Sequence, residues 1–458
     1  MRTNFSPAQL ANPDLAEANG ILETCVHYGF CTNTCPTYVL TRDENDSPRG
    51  RIDLIRAMLE RGGAPEAKTV HHLDRCLSCL SCMTTCAVKV DYAHLIDRAR
   101  SHIEQHYRRP WPDRAVRALL ARLLPAPRLF LLALCAGRLA KPFARLLPAR
   151  LHALVDMIPA ASQQRPNILS PGTFAAEGSR RRRVALLAGC AQQALDGAIN
   201  AATVRLLTRR GCEVVIAPGA GCCGSLTLHM GWECDARASA VANVRAWSRE
   251  VAAGGLDAVV INASGCGTTV KDYGHLLAGD PIWAEPARRM AGLARDISEV
   301  LDDLGLAAPI VPTAYRVAYH DPCSMQHGQR VTRQPRDLLR AAGFRVLDVP
   351  EAHFCCGSAG TYNLLQPDMA SALGRRKADH IASVDADVVA TGNIGCMTQL
   401  RRYLGVPVVH TVELLDWATG GPRPPALEGV ALRAPAPPVT AGDRSGKGTA
   451  TKNDVGIW

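Results

Sequence analysis

The chain has 458 residues, 18 cysteines, a net charge of +10 and an apolar content of 47%. This length and composition predict about three globular domains with ordinary cores. Residues 1–20 lack the apolar segment of a secretory signal, so we expect no disulfides, and the grouped cysteines indicate metal ligands. The longest apolar run, residues 129–137, has nine residues, whereas a membrane-spanning helix needs about 20.

The positive charge is concentrated in one stretch. Residues 98–183 contain 17 Lys and Arg against 4 Asp and Glu, which leaves the remainder of the chain slightly acidic. Such a stretch suits an anionic membrane surface, an acidic partner subunit or nucleic acid. Aromatic residues make up only 5% of the chain and no nucleic-acid-binding motif is recognisable, so we expect no nucleic acid partner.

The first cysteine run follows a short helix predicted within residues 1–24. It reads Cys25-Val-His-Tyr28-Gly-Phe-Cys31-Thr-Asn-Thr-Cys35-Pro. This is the spacing that binds iron–sulfur clusters in bacterial ferredoxins, except that Tyr28 stands where a cysteine belongs. Three outcomes are open at this site: a [3Fe–4S] cluster, a cubane with the Tyr28 phenolate as ligand, or an empty site filled by Tyr28. We expect the [3Fe–4S] cluster.

A helix is predicted to begin at Pro48, with its apolar residues on one face. These residues are Ile52, Ile55, Met58 and Leu59. Arg49 and Arg51 lie in its first turn. They either place positive charge near the cluster sulfurs, which tunes the reduction potential, or belong to an ordinary exposed helix start.

The second run is Cys76-Leu-Ser-Cys79-Leu-Ser-Cys82-Met-Thr-Thr-Cys86, preceded by a predicted helix over residues 69–74. In two-cluster ferredoxins the fourth cysteine of each run ligates the other cluster. We therefore expect Cys35 to join Cys76, Cys79 and Cys82, and Cys86 to join the upstream run. Zinc or disulfides are the alternative, but zinc prefers two cysteine pairs. A helix from residue 92 to about 107 is predicted to close a ferredoxin-like domain over residues 1–109.

Residues 110–183 are predicted to form a linker of short basic helices broken by prolines. Its apolar positions alternate with arginines: Leu119, Leu120, Leu123 and Leu124 against Arg114, Arg117 and Arg122. The linker is either an interfacial segment on the cytoplasmic leaflet or a packing element across the neighbouring domains. We favour the packing element, with the arginines facing water.

From Val184 onward a pattern of strand, cysteine and helix occurs twice. Four cysteines recur at an offset of 133 residues, or 130 for the last: Cys190, Cys222, Cys223 and Cys266, then Cys323, Cys355, Cys356 and Cys396. This indicates an internal duplication. We predict two α/β domains with parallel sheets, residues 184–310 and 311–420, packed face to face.

Every duplicated cysteine follows a strand, and ligands of parallel sheets bind beyond the carboxyl ends of the strands. Each half therefore is predicted to gather its four sulfurs at one mouth, as ligands of a metal or cluster. Gly224 and Gly357 suit a tight turn where the backbone approaches that group. The remaining cysteines, Cys135, Cys212 and Cys234, are interpreted as packing residues. Residues 421–458 are predicted to be disordered.

The predicted fold class is α+β multidomain: an α-helical ferredoxin-like two-cluster domain followed by two duplicated α/β cysteine-rich domains. The motifs resemble those of the iron–sulfur subunit of bacterial glycolate oxidase over residues 1 to about 417. They are residues 25–38, 46–51, 73–79, 263–267, 355–362 and 393–396.

The resemblance implies a role in electron transfer. FAD-binding partner subunits would oxidise glycolate to glyoxylate, and this chain would pass the electrons through two [4Fe–4S] sites towards a membrane quinone or another acceptor. No catalytic residue is expected in this chain, which should not oxidise glycolate alone. The expected location is cytoplasmic, peripheral on the inner face of the cytoplasmic membrane.

The Cys-Cys-Gly motifs are also shared with lactate-utilisation proteins, the anaerobic glycerol-3-phosphate dehydrogenase iron–sulfur subunit and heterodisulfide reductases. The last group carries one more cysteine per module, where this chain has Ala263 and Asn393. A related lactate or glycerol-3-phosphate dehydrogenase subunit, a thiol–disulfide reductase and a zinc scaffold therefore remain alternatives. Each module could hold a conventional cluster, a metal ion or a redox-active thiol pair.

Overall fold

A computed structural model of the chain describes residues 1–146, 155, 157–159 and 165–430. Most of the tail predicted to be disordered lies outside these residues. Residues 421–430 are described, and there the prediction is wrong. Leu427 is buried, and the carbonyl of Val430 accepts a hydrogen bond from the Tyr315 hydroxyl at 3.1 Å.

The first hundred residues are helical and share one apolar core. The helices are Pro7–Leu10, Pro13–Thr24, Phe30–Asn33, Pro36–Thr41, Pro48–Arg61, Ala67–Asp74, Ser81–Thr85 and Tyr92–His106. The helix Pro48–Arg61 buries the four apolar residues predicted for its inner face. It begins where predicted because Pro48 fits the first turn and the Ser47 hydroxyl accepts a hydrogen bond from the Gly50 N–H at 3.0 Å.

Two helices, Trp111–Leu123 and Pro127–Ala140, and a 3₁₀ turn, Lys141–Leu146, follow. Arg117 is buried and paired with Asp74 at 3.3 Å. The prediction that the arginines of this segment face water is therefore wrong for Arg117. The helix Pro127–Ala140 contacts the helix Ala191–Asp196 of the first cysteine-rich half. The two helices thus lie across the neighbouring domain, which supports the packing interpretation of the linker.

The first half contains a five-stranded sheet. Its strands are β1 (Gly172–Phe174), β2 (Arg182–Leu186), β3 (Cys212–Ile216), β4 (Ala258–Ile261) and β5 (Ala294–Asp296), in the order β1-β3-β2-β4-β5. β2 to β5 pair in parallel as predicted, whereas β1 is an antiparallel edge strand. The sequence did not indicate β1 because all three of its residues are exposed and it lacks an apolar run.

The second half contains a four-stranded, wholly parallel sheet. Its strands are β6 (Arg316–Tyr319), β7 (Arg345–Asp348), β8 (Val388–Thr391) and β9 (Val408–His410), in the order β7-β6-β8-β9. β2 and β6 occupy the same central place in their sheets, which confirms the predicted duplication of the strand pattern.

Helices flank both sheets. Those of the first half are Ala191–Asp196, Ala198–Arg209, Ser225–His229, Glu233–Gly254, Ser264–Lys271, Tyr273–Leu276, Ala284–Leu293 and Ile297–Leu304. Those of the second half are Ser324–Gln329, Gln334–Ala341, Tyr362–Leu365, Pro367–Ala382, Ile394–Leu400, Thr411–Ala418 and the 3₁₀ turn Pro425–Leu427.

The two halves pack against each other over a common apolar core that includes Val184 and Val260 of one sheet and Val317 and Val388 of the other. Their carboxyl edges also meet directly. The hydroxyls of Ser264 and Ser324 lie 2.7 Å apart, and the Gln329 amide donates to the Ser264 carbonyl at 2.9 Å. The predicted face-to-face packing is therefore present, and it brings the two sets of cysteines towards each other.

Candidate metal centres

The downstream run converges with the last cysteine of the upstream run. Cys35, Cys76, Cys79 and Cys82 are all buried. Burial, followed by the sulfurs of Cys79, Cys76 and Cys35, raises the pKa of Cys82 well above its ordinary value. The structure therefore brings together the four residues that the crossed arrangement predicts.

The backbone of the downstream run adopts an unusual conformation that turns these sulfurs inward. Ser78 and Leu80 have φ angles of 49° and 62°, in the left-handed region. The Ser78 N–H donates to the Cys76 sulfur at 3.5 Å, and the Tyr92 hydroxyl donates to the same sulfur at 3.7 Å. Donors of this kind stabilise negative charge on a thiolate ligand.

Arg51 lies inside this site. Its side chain is 1% exposed and its Nε donates to the His72 carbonyl at 2.8 Å. Its Nη1 lies 3.9 Å from the Cys35 sulfur. Arg49, by contrast, pairs on the surface with Glu44 at 2.6 Å. Arg51 thus adjoins the sulfurs of the downstream site. The Arg49 side chain lies at the surface, while its backbone N–H bonds Cys31 at the upstream site.

The upstream run forms a second, more open site. Cys25, Cys31 and Cys86 line a cavity of about 40 Å³ together with Tyr28 and Cys82. The Tyr28 ring is 67% exposed and stacks on Phe30 with ring centroids 6.0 Å apart. A ring in this position does not fill the cavity, which counts against the interpretation of Tyr28 as a plug.

The first cysteine-rich half gathers its four sulfurs as predicted. Cys222 accepts hydrogen bonds from Cys190 and Cys223, which lower the pKa of Cys222 below its ordinary value. The hydrogen bond to Cys222, followed by the one to Cys266, raises the pKa of Cys223 well above its ordinary value. The Gly224 N–H donates to the Cys222 sulfur at 3.4 Å.

The second half repeats this arrangement. The sulfurs of Cys323 and Cys355 lie 3.7 Å apart, and the Gly357 N–H donates to the Cys355 sulfur at 3.4 Å. Cys356 is hydrogen-bonded to the sulfurs of Cys355 and Cys396. The Asn393 amide donates to the Cys396 sulfur at 3.3 Å. Asn393 therefore supports a ligand from the position where heterodisulfide reductases have their additional cysteine.

Gly224 and Gly357 both have a φ of +86° and form the predicted tight turns. Each glycine N–H approaches a site sulfur, and a neighbouring helix also excludes a side chain. A Cβ would lie 2.9 Å from the Ala236 carbonyl oxygen in the first half and 2.6 Å from that of Ala370 in the second. The glycines are therefore also required for close packing against the helices Glu233–Gly254 and Pro367–Ala382.

Both cysteine-rich mouths open on one cavity of about 440 Å³, which the sequence did not predict. Its sulfur-bearing lining residues are Cys190, Cys223, Cys266, Cys323, Cys355, Cys356 and Cys396. The helices Trp111–Leu123 and Pro127–Ala140 cover it with Leu119, Leu123, Phe130 and Leu134. The spacing of the duplicated motifs predicts where the cysteines lie within each half. It carries no information about the orientation of one half relative to the other.

Cysteines of the downstream run and of the second cysteine-rich half lie close together. Cys79 packs in one buried cluster with Leu77 and Cys355, and Cys323 lies at the edge of that cluster. Burial, followed by the neighbouring Cys323 sulfur, raises the pKa of Cys79. The downstream site is therefore adjacent to the second cysteine-rich site.

Three cysteines lie outside these groups. Cys212 is buried on β3 in the shared core, so its interpretation as a packing residue is confirmed. Cys135 and Cys234 are exposed, and for them that interpretation is wrong. Both lie on helices, Cys135 in Pro127–Ala140 and Cys234 in Glu233–Gly254, at positions that face solvent.

The thiol sites fit a cationic group. Burial is the main cause that raises the pKa of Cys79 and Cys82, and neighbouring sulfurs raise both pKa values further. Forming several thiolates together in such a place requires a compensating positive charge. Iron–sulfur clusters or metal ions supply that charge, and Arg51 supplies part of it at the downstream site.

Known families match both parts of the chain. The 4Fe-4S dicluster domain matches residues 24–90, and the cysteine-rich domain matches residues 184–271 and 317–401. The glycolate oxidase iron-sulfur subunit of Escherichia coli strain K12 is 39% identical over 91% of this chain and 99% of its own length. This chain belongs to the family of glycolate oxidase iron–sulfur subunits. The expected resemblance, fold class and iron–sulfur cofactors are thereby confirmed.

Other relatives agree with this membership. A probable glycolate oxidase iron-sulfur subunit of Bacillus subtilis strain 168 is 31% identical over 88% of this chain and 95% of its own length. Lactate utilization protein A of Oceanobacillus iheyensis is 28% identical over 51% of this chain and 96% of its own length. A hypothetical protein from Helicobacter pylori shares the fold, with a TM-score of 0.52 at 10% identity over 91% of this chain and 74% of that one.

Proposed function

We propose that this chain is the electron-transfer subunit of a glycolate-oxidising complex. Its FAD-binding partner subunits oxidise glycolate to glyoxylate, and this chain conducts the electrons towards a quinone. Bound iron–sulfur clusters supply one-electron transfer, while the chain holds and orders their sites. The proposal rests on family membership and on the match to the 4Fe-4S dicluster domain.

One observation supports the order of the sites: Cys79 and Cys355 pack in the same buried cluster. The upstream site, the downstream site and the second cysteine-rich site follow one another through residues in contact. Cys82 lines the upstream cavity and also belongs to the downstream group. Cys79 then joins the downstream group to Cys323 and Cys355. The exposed upstream site is the entry and the shared cavity is the exit.

The shared cavity suits a quinone. Its volume of about 440 Å³ is within the range of small-molecule sites. Apolar side chains line one part of the cavity and cysteines line another. Leu119, Leu123 and Phe130 would contact the apolar ring and tail. Asn393 also lines the cavity beside the cysteines, and its amide donates a hydrogen bond to Cys396.

The experiment uses the complex reconstituted with its flavoprotein subunits. With Cys355→Ser, glycolate should still reduce the ferredoxin-type sites, while quinone reduction falls at least tenfold. Cys212→Ser, which changes a buried cysteine outside the sulfur sites, serves as the matched control. Unchanged quinone reduction in Cys355→Ser would place the exit elsewhere. Failure of glycolate to reduce the wild-type complex would refute the function itself.

Membrane attachment is proposed to be peripheral and to use the two covering helices. No helix in the described part of the chain has both the length and the apolarity required to cross a bilayer. Leu132 and Leu139 are 66% and 78% exposed on the helix Pro127–Ala140, beside exposed Phe143. Exposed apolar side chains next to basic residues are typical of segments that lie in the membrane interface.

Attachment of this kind weakens as salt screens the basic residues. High salt should release the complex from membranes, and Leu132→Ser with Leu139→Ser should lower the bound fraction further. Ile282→Ser, at an equally exposed apolar residue on another face, should leave binding unchanged. Release only by detergent, or equal loss of binding in the control, would contradict this proposal.

The relatives also suggest lactate as an alternative substrate of the complex. Lactate utilization protein A matches about half of this chain, and under this proposal the hydroxy acid is bound by the flavoprotein subunits. Comparing glycolate with lactate as the electron donor to the reconstituted complex decides between them. A thiol–disulfide reductase is disfavoured because Ala263 and Asn393 leave each module with four cysteines.

A further inference from the structure

The duplicated halves differ at one buried position. His320 follows β6, and Leu187 follows β2 at the corresponding place, three residues before the first cysteine of each module. The backbone confirms the equivalence. The Leu187 N–H donates to the Val260 carbonyl at 3.0 Å, and the His320 N–H donates to the Ala390 carbonyl at 2.9 Å. An imidazole in the second half thus occupies the position of an apolar side chain in the first.

His320 is 2% exposed, and its Nε2 finds no hydrogen-bond partner among the described residues. A buried polar nitrogen without a partner costs free energy that leucine at the same place does not. Its neighbours indicate what offsets that cost. One nitrogen of His320 and the sulfurs of Cys356 and Cys396 all lie within 4.8 Å of one another.

We propose that His320, Cys356 and Cys396 bind a single divalent metal ion in the second half. Two thiolates and one imidazole are a donor set that suits ions of borderline softness, zinc or ferrous iron. Two thiolates neutralise the charge of a divalent ion, so the buried centre carries no net charge. The first half, with Leu187 in place of the histidine, lacks this nitrogen ligand.

The three protein ligands leave the proposed metal with an open coordination position. Cys356 and Cys396 both line the shared cavity. Three protein ligands leave the fourth tetrahedral position for a small molecule, as in catalytic zinc sites. Because both cysteines line the cavity, an oxygen donor entering it could reach a metal held between them. A carbonyl or hydroxyl oxygen is therefore the ligand class that the site would bind.

The test is a metal analysis of the full-length protein, purified without oxygen. We expect His320→Leu, which restores the residue of the first half, to lose about one zinc or one iron per chain without loss of sulfide. His410→Leu is the matched control, because His410 is also fully buried with an unpartnered Nε2 but lies outside this cysteine pair. The control should retain the full metal content.

His320→Cys adds a second arm. A thiolate at this position should restore the lost metal, and X-ray absorption at the metal edge should show one nitrogen neighbour replaced by sulfur. Zinc and iron are distinguished by the element that is lost. Three results would overturn the proposal: unchanged metal content in His320→Leu, equal loss in His410→Leu, or loss of iron together with equal sulfide, which would indicate a cluster.

Discussion

The guanidinium of Arg51 lies 3.9 Å from the sulfur of Cys35 and is closed off from solvent. A positive charge beside a cluster stabilises the more negative, reduced state and therefore raises the reduction potential. We predict that Arg51→Gln lowers the potential of the downstream cluster by roughly 60 mV, a tenfold change for a one-electron couple. A potentiometric titration followed by electron paramagnetic resonance measures this change.

Arg49→Gln is the matched control for that prediction, since Arg49 pairs on the surface with Glu44. It should shift the potential far less. Arg51 also pairs with buried Asp46 at 3.4 Å, so the variant should be less stable. Arg51→Lys keeps the charge and separates the two effects. An equal shift in Arg49→Gln and Arg51→Gln would mean that the contact with Cys35 is irrelevant to the potential.

The crossed use of fourth cysteines gives a second prediction. Cys35→Ser should remove the downstream cluster, about four iron atoms, and leave the upstream site intact, because Cys35 lies among Cys76, Cys79 and Cys82. Cys86→Ser should have the opposite effect. Spectra of oxidised and dithionite-reduced protein identify which cluster is lost. If Cys35→Ser disturbs only the upstream site, the crossed assignment is wrong.

Tyr28 gives a third prediction. Its exposed ring leaves three thiols, Cys25, Cys31 and Cys86, at the upstream cavity, so we expect a [3Fe–4S] cluster there. The oxidised protein should be paramagnetic. Tyr28→Cys supplies the fourth thiolate and should convert the oxidised cluster to a silent [4Fe–4S] form, whose electron paramagnetic resonance signal appears only on reduction.

Tyr28→Phe separates the remaining outcomes at that site. It removes the phenol oxygen and retains the ring that stacks on Phe30. A three-iron cluster should be unaffected by this change. Loss of one iron in Tyr28→Phe would show that the phenolate is a ligand. An iron count for only one ferredoxin-type cluster in the wild type would mean that the upstream site is empty.

His94 gives a pH-dependent prediction for the interface between the ferredoxin-like domain and the first cysteine-rich half. Its imidazole bonds Asp91 at 2.7 Å and Asp272 at 3.0 Å, and it stacks on His275 with ring centroids 3.5 Å apart. Burial opposes the charged form, but the hydrogen bonds to Asp272 and Asp91 outweigh it and raise the pKa of His94 to about 10.

A pKa raised in the folded state gives stability that is complete below the ordinary value of 6.5 and is lost as the pH rises through about 10. His94→Gln should therefore lower the midpoint of thermal unfolding most at pH 6, less at pH 8 and least at pH 10. His106→Gln, at an exposed histidine of the same helix, should show no such trend. A difference that stays constant from pH 6 to pH 10 would contradict the charged state of His94.

The sequence by itself determined the local chemistry. Cysteine spacing identified both ferredoxin-type runs, and the constant offset between the Cys-Cys-Gly motifs identified the duplication. Alternating strands and helices predicted the parallel sheets. These features are set by short-range geometry, since a thiolate run must wrap one cluster and a parallel strand needs a crossover helix. The strands β1, β5 and β9 were missed because each has only three residues, too few to form a recognisable apolar run.

Only the tertiary structure decided how these parts are combined. The buried cluster that contains Cys79 and Cys355 and the cavity shared by both halves depend on the relative orientation of the domains. That orientation is fixed by interface packing rather than by any motif. His320 shows the same limit at one residue. In the sequence alone, His320 is indistinguishable from an ordinary buried core histidine. Its role as a candidate ligand is visible only in the fold, which places it beside Cys356 and Cys396 at the carboxyl edge of one sheet, although the three residues are far apart in sequence.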